Sequence, residues 1–90
     1  MDRPDFRRLR AAIDAVDSVF VSALAKRATL SRKIGALKKR GGGAVIDEKR
    51  KKQLIAARVS KGKKKGLSPL LVREVFEAVH KDSVKIQKRV

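Results

Sequence analysis

Apolar positions recur every three or four residues along three stretches of the chain, and nowhere do they alternate over the length of a strand. Leu9, Ile13, Val16, Phe20 and Leu24, then Ile34, form one stripe on a helix running from about Asp5 to Arg40, where Gly41-Gly42-Gly43 breaks it. Such a helix is on the order of 50 Å long, far beyond the usual globular length. A second helix begins after Asp47, a good N-cap, and ends near "KGKKKG". The third opens at "LSPLL", with Ser68 placed to cap and Pro69 at the first helical position, and continues to the end of the chain. "GGGAVI" is the only short segment with some strand character. The pattern predicts an all-α fold of three helices, one of them very long, in a single domain over residues 1–90.

The first stripe changes character halfway. Continued at about 100° per residue, Arg27 falls within roughly 20° of the Phe20 direction, Ser31 lies near it, and Lys38 returns to it after about five turns. The third helix behaves likewise, since Val72, Phe76 and Val79 are followed on that face by Ser83, with Gln87 nearby. His80 flanks the stripe and reads as a half-exposed packing residue. Two accounts fit the cationic stretch. Long cationic side chains snorkel out of an apolar seam, or Arg27 and Lys38 face an enclosed anion, because a buried cation without a partner is too costly to persist. A helix this long cannot fold back on itself. Two shorter helices cover only part of its apolar face, so a homodimer is expected.

Charge then narrows the partners. The chain carries 25 Lys and Arg against 9 Asp and Glu, a net +16, and 14 of the cations lie in residues 32–65 beside only Asp47 and Glu48. Such a field attracts polyanions and speeds the arrival of small anions. In "DEKRKKQ" four cations, Lys49, Arg50, Lys51 and Lys52, crowd the positive end of a helix dipole, which favours acids instead. Their counter-ion is either nucleic acid or a small dicarboxylate. Against nucleic acid stand the absence of Trp and Tyr and of helix-turn-helix spacing. Lys33, Lys39, Arg40, Lys52 and the lysines of 61–65 read as a solvated surface that binds polyanions nonspecifically. With no cysteine there is no disulfide framework or thiolate metal site, and a single histidine excludes a His-based metal cluster. No apolar run is long enough to span a membrane, and "DRPDFRR" after Met1 is no signal segment, so a soluble, cytoplasmic protein is expected.

"LRAAIDAVDSVFVSALAKR", "IGALKK", "VIDEKR" and "GLSPLLVREVFEAVHKDSVKIQ", in this order and spacing, resemble the all-helical chorismate mutase family from Leu9 to Gln87. The resemblance implies an intertwined homodimer with two equivalent sites, no metal and no cofactor. It implies an isomerase converting chorismate to prephenate on the shikimate pathway to Phe and Tyr. It also assigns residues. Arg10 is the arginine contributed across chains, and Arg27 and Lys38 are the two seam cations. Asp47 and Arg50 match "D-x-x-R", and Ser83 and Gln87 match "S-V-x-x-Q". Arg27, Lys38 and Ser83 are marked by the periodicity as well, whereas Arg10, Asp47 and Gln87 rest mainly on the resemblance.

One position departs. The family usually has glutamate directly after the arginine, where it is expected to hold the substrate's ring hydroxyl, and here Lys51 stands in its place. Lysine donates but offers no acceptor. Related isochorismate pyruvate lyases also lack that glutamate, which makes such a lyase the alternative. The mutase reaction breaks one C–O bond while one C–C bond forms within one molecule, so no nucleophile, metal or proton transfer is required. Forked arginine donors from Arg10, Arg27 and Arg50 suit the two carboxylates, Ser83 adds a donor, and Asp47 and Lys51 complete the binding set. Lys38 and Gln87 are the candidates to stabilise charge growing on the ether oxygen.

Overall fold

Capping chemistry decides where each helix begins. A computed structural model describes residues 3–90, which form three helices: α1 (Pro4–Gly41), α2 (Glu48–Lys64) and α3 (Pro69–Arg89). Pro4 opens α1, where its missing N–H costs nothing. Asp47 sits before α2 in extended conformation, and its Oδ1 accepts from the Arg50 backbone N–H at 2.9 Å. Ser68 does the same for Leu71 at 3.3 Å, with Pro69 following it. Each helix end is therefore within a residue or two of its expected position. The strand character expected of "GGGAVI" is not realised. Gly42 turns the chain back at a φ of 76°, and among the described residues no strand forms for the extended residues after it to pair with.

The chain divides into two compact units, Met1–Leu30 and Ser31–Val90. The described part of the first is a continuous stretch of α1. Its apolar stripe lies open, with Leu9, Ile13, Val16 and Phe20 each more than half exposed.

The second unit holds the end of α1 and the whole of α2 and α3. A four-residue connection, 65–68, makes α2 and α3 neighbours in a hairpin. Leu54 on α2 and Val72 on α3 are its buried apolar residues. Gly62 is needed where the two helices converge, since a Cβ there would stand 2.6 Å from Val72 Cγ2. Arg58 lies over the Phe76 ring at 5.8 Å from its centroid, closing the same contact with a cation–π pair. The last turns of α3 run beside the last turns of α1, and that seam carries the polar residues the periodicity singled out.

Candidate active site

Two polar contacts cross the α1–α3 seam. The Ser31 and Ser83 hydroxyls lie 3.1 Å apart, and these serines are the buried polar residues among those described. Farther along, the half-buried Lys38 ammonium donates to Gln87 Oε1 at 3.1 Å and to the Val45 carbonyl at 3.4 Å. Every buried side-chain polar atom described has a partner.

Gly35 sets the spacing of the seam. It is buried, and a Cβ on it would lie 2.9 Å from Gln87 Cα and 3.2 Å from Gln87 O, so the α3 backbone rests directly on it. The sequence pattern passed over Gly35, because a glycine adds nothing to an apolar stripe. Its signal was positional: an isolated glycine inside a helical pattern, four residues after Ser31 and three before Lys38, on the same face.

The electrostatics of the pair are unusual for a half-buried cation. Both acceptors of Lys38 are neutral, the Gln87 amide oxygen and the Val45 carbonyl. Two of the three ammonium N–H groups are engaged, leaving one donor. Because Gln87 accepts through its oxygen, its amide N–H groups also remain as donors. The pair therefore presents positive charge and N–H groups, and no negative charge, to whatever lies against it. That suits an oxygen that gains negative charge.

The other expected site residues are placed as follows. Asp47 and Arg50 are exposed at the start of α2, and Asp47's observed partner is the Arg50 backbone rather than its guanidinium. Lys51 is half-buried and lines two shallow grooves between α2 and α3, together with Glu48 and Glu77. His80 and Val84 line one of these grooves, and His80 is half-buried, as the flank of a stripe should be. Arg10 and Arg27 belong to the first unit. Arg10 is exposed with its guanidinium 6.0 Å from the Phe6 ring centroid, and Arg27 is half-buried. The structure thus joins Lys38 to Gln87 and Ser31 to Ser83. Among the described residues, no three His, Cys, Asp or Glu side chains lie close enough to share a metal ion, and no helix is long and apolar enough to cross a membrane.

The T-protein of Enterobacter agglomerans is 32% identical over 75 residues, which cover 83% of this chain and 20% of that protein, so the chain spans about a fifth of that relative's length. Residues 9–88 match the chorismate mutase type II family, from the first residue of the α1 stripe to just past Gln87. With a match over nearly its whole length, the chain belongs to the chorismate mutase type II family.

Proposed function

We propose that this protein is a chorismate mutase, rearranging chorismate to prephenate without cofactor, metal or covalent intermediate. The observation that carries the reading is the Lys38–Gln87 pair, a half-buried cation satisfied only by neutral acceptors and leaving its free donors together. In the reaction the ether C–O bond breaks as a C–C bond forms within the same molecule. Negative charge grows on the departing oxygen, and donors placed there strengthen their bonds in the transition state rather than the ground state. Lys38 and Gln87 supply those donors. Arg27 and Arg50 grip the carboxylates through forked donors, Ser83 adds a hydroxyl, and Asp47 holds the first turn of α2 in place. Binding the flexible dianion in a compact chair-like form lowers the barrier further.

The working unit is a homodimer in which the long helix of one copy covers that of the other and contributes its Arg10 to the partner's site. The exposed stripe on the first unit supports this, because an apolar face of that length requires cover. With this activity the protein serves a biosynthetic route to aromatic amino acids, which we propose to be cytoplasmic. Its basic surface binds nucleic acid nonspecifically, and that binding weakens steeply with salt.

Lys51 favours one second reading, pyruvate elimination from isochorismate, since the residue after Arg50 offers no acceptor for a ring hydroxyl. Incubating the purified chain with chorismate and with isochorismate separates the two. Prephenate from chorismate is the expected product. Pyruvate from isochorismate, with chorismate untouched, would replace the mutase reading by the lyase one.

A further inference from the structure

Lys38 is fixed by the loop that leaves its own helix, and the three glycines of that loop do three different things. Gly41 is the last residue of α1, and a Cβ on it would meet nothing within 4 Å. Gly42 takes the left-handed conformation at φ 76°, and the N–H groups of Gly42 and Gly43 both donate to the Lys38 carbonyl, at 2.8 and 3.1 Å. That reversal is a glycine helix cap whose accepting carbonyl belongs to Lys38 itself. It also returns the chain so that the Val45 carbonyl reaches the Lys38 ammonium at 3.4 Å. Gly43 lies flat on the lysine's stem: a Cβ there would stand 3.1 Å from Lys38 Cγ and 3.5 Å from its Cβ.

We propose that Gly43 is a positioning residue for Lys38, the bare surface against which the lysine stem is laid so that its ammonium meets Gln87 and Val45 together. Its catalytic consequence rests on the reading of Lys38 as a donor to the breaking bond. Carbon atoms at rest sit roughly 3.5–4.0 Å apart, so a methyl group at 43 forces one of two responses. If the stem moves, the displacement is carried along its length to the ammonium. If the loop moves, the Val45 carbonyl leaves, and it is one of only two protein acceptors the ammonium has. Both responses change the Lys38–Gln87 contact. The loop itself is largely exposed, so little apolar burial is at stake in either response.

The test replaces Gly41 and Gly43 by alanine, one at a time, in the full chain, read by turnover, by thermal unfolding and by the NMR resonances of the Gln87 side-chain amide. Gly41→Ala is the control and leaves all three essentially unchanged. Gly43→Ala lowers kcat by about tenfold, the order expected of a sub-ångström misplacement of a catalytic group, with KM and melting temperature near those of the control. It also shifts the Gln87 amide resonances. In a Lys38→Ala background the same change adds no further loss of kcat. Gly43→Ala behaving like Gly41→Ala in turnover and in the Gln87 amide would overturn the proposal, as would an undiminished loss in the Lys38→Ala background. The amide readout needs no turnover. If the wild-type chain leaves chorismate unchanged, the mutase reading fails, while a moved Gln87 amide still supports the placement of Lys38 by Gly43.

Discussion

Gln87→Glu separates what stabilises the seam from what the seam does. The Gln87 oxygen already accepts from Lys38 at 3.1 Å, and the substitution makes that acceptor a carboxylate while removing the amide donors. Between unit charges at that distance the Coulomb attraction is about 5 kcal/mol at the effective dielectric constant of roughly 20 that suits partly exposed pairs. Desolvation and side-chain ordering offset most of it, leaving a net gain of about 1 kcal/mol. In a chain of this size that is a rise in melting temperature of about 5 °C. Turnover moves the other way. Loss of a donor to an oxygen gaining charge costs roughly 3–4 kcal/mol, or two to three orders of magnitude in kcat.

The pH dependence gives a second opposition. Beside Lys38 the introduced carboxyl is held below the ordinary glutamate value of about 4.3. The extra stability is therefore present above that pH and is lost as the pH falls through the lower, folded-state value. Only the protonated carboxyl can donate, so residual kcat climbs over the same descent while stability declines. The assay is initial-rate chorismate consumption and thermal unfolding across pH, at one protein concentration. A variant that keeps wild-type kcat at neutral pH would show that the Gln87 amide does not donate in the transition state.

Five further substitutions probe the seam and Lys51. Lys38→Ala is expected to reduce kcat far more than it raises KM in steady-state assays; equal losses would place the lysine in ground-state binding. Gly35→Ala forces a methyl group to within 2.9 Å of Gln87 Cα, so a destabilisation of about 1–3 kcal/mol in urea unfolding is expected, together with a fall in kcat as Gln87 is pushed from Lys38. Ser31→Ala and Ser83→Ala should each cost about 1 kcal/mol, with the double variant costing less than their sum, because the two hydroxyls share one bond. Lys51→Glu is expected to raise kcat/KM for chorismate by restoring an acceptor; abolished turnover would give Lys51 a positive role and point to a different substrate.

Elements with local causes were legible from the sequence. Asp47, Ser68 and Pro69 announce helix starts through their own side chains, and Gly41 to Gly43 announce a stop through their lack of them. The seam was legible for a different reason. Helical phase carries information over many turns, so extending two apolar stripes brought Ser31 and Lys38 onto one face and Ser83 onto the other, while Gln87 came mainly from the family resemblance. Those four residues are the ones the structure pairs. What phase alone cannot give is distance. Gly35 decides how near the two helices come, and Val45 contributes through its backbone carbonyl, which no side-chain pattern encodes. Asp47 shows the opposite limit: its cap was readable from its type and place, while the expectation that it binds substrate comes from the family resemblance alone.

The charge that first suggested nucleic acid is better explained by where the cations sit. Lys49, Arg50 and Lys52 at the start of α2 are exposed, and their repulsion of the helix dipole is screened by water and countered by the Asp47 and Glu48 carboxylates beside them. Lys49 and Lys52 therefore need no nucleic acid to explain them, and Arg50 remains the one proposed to meet the substrate. Lys38 differs because it is half-buried between two neutral acceptors, and water screens it less. The first unit makes a separate demand, since Leu9, Ile13, Val16 and Phe20 lie open on it. Burying one such side chain contributes roughly 1.5–3 kcal/mol; with each already partly covered, the stripe still holds on the order of 5 kcal/mol per chain. A second copy of the chain would bring a matching stripe, so self-association that strengthens with protein concentration is what this open face leads us to expect.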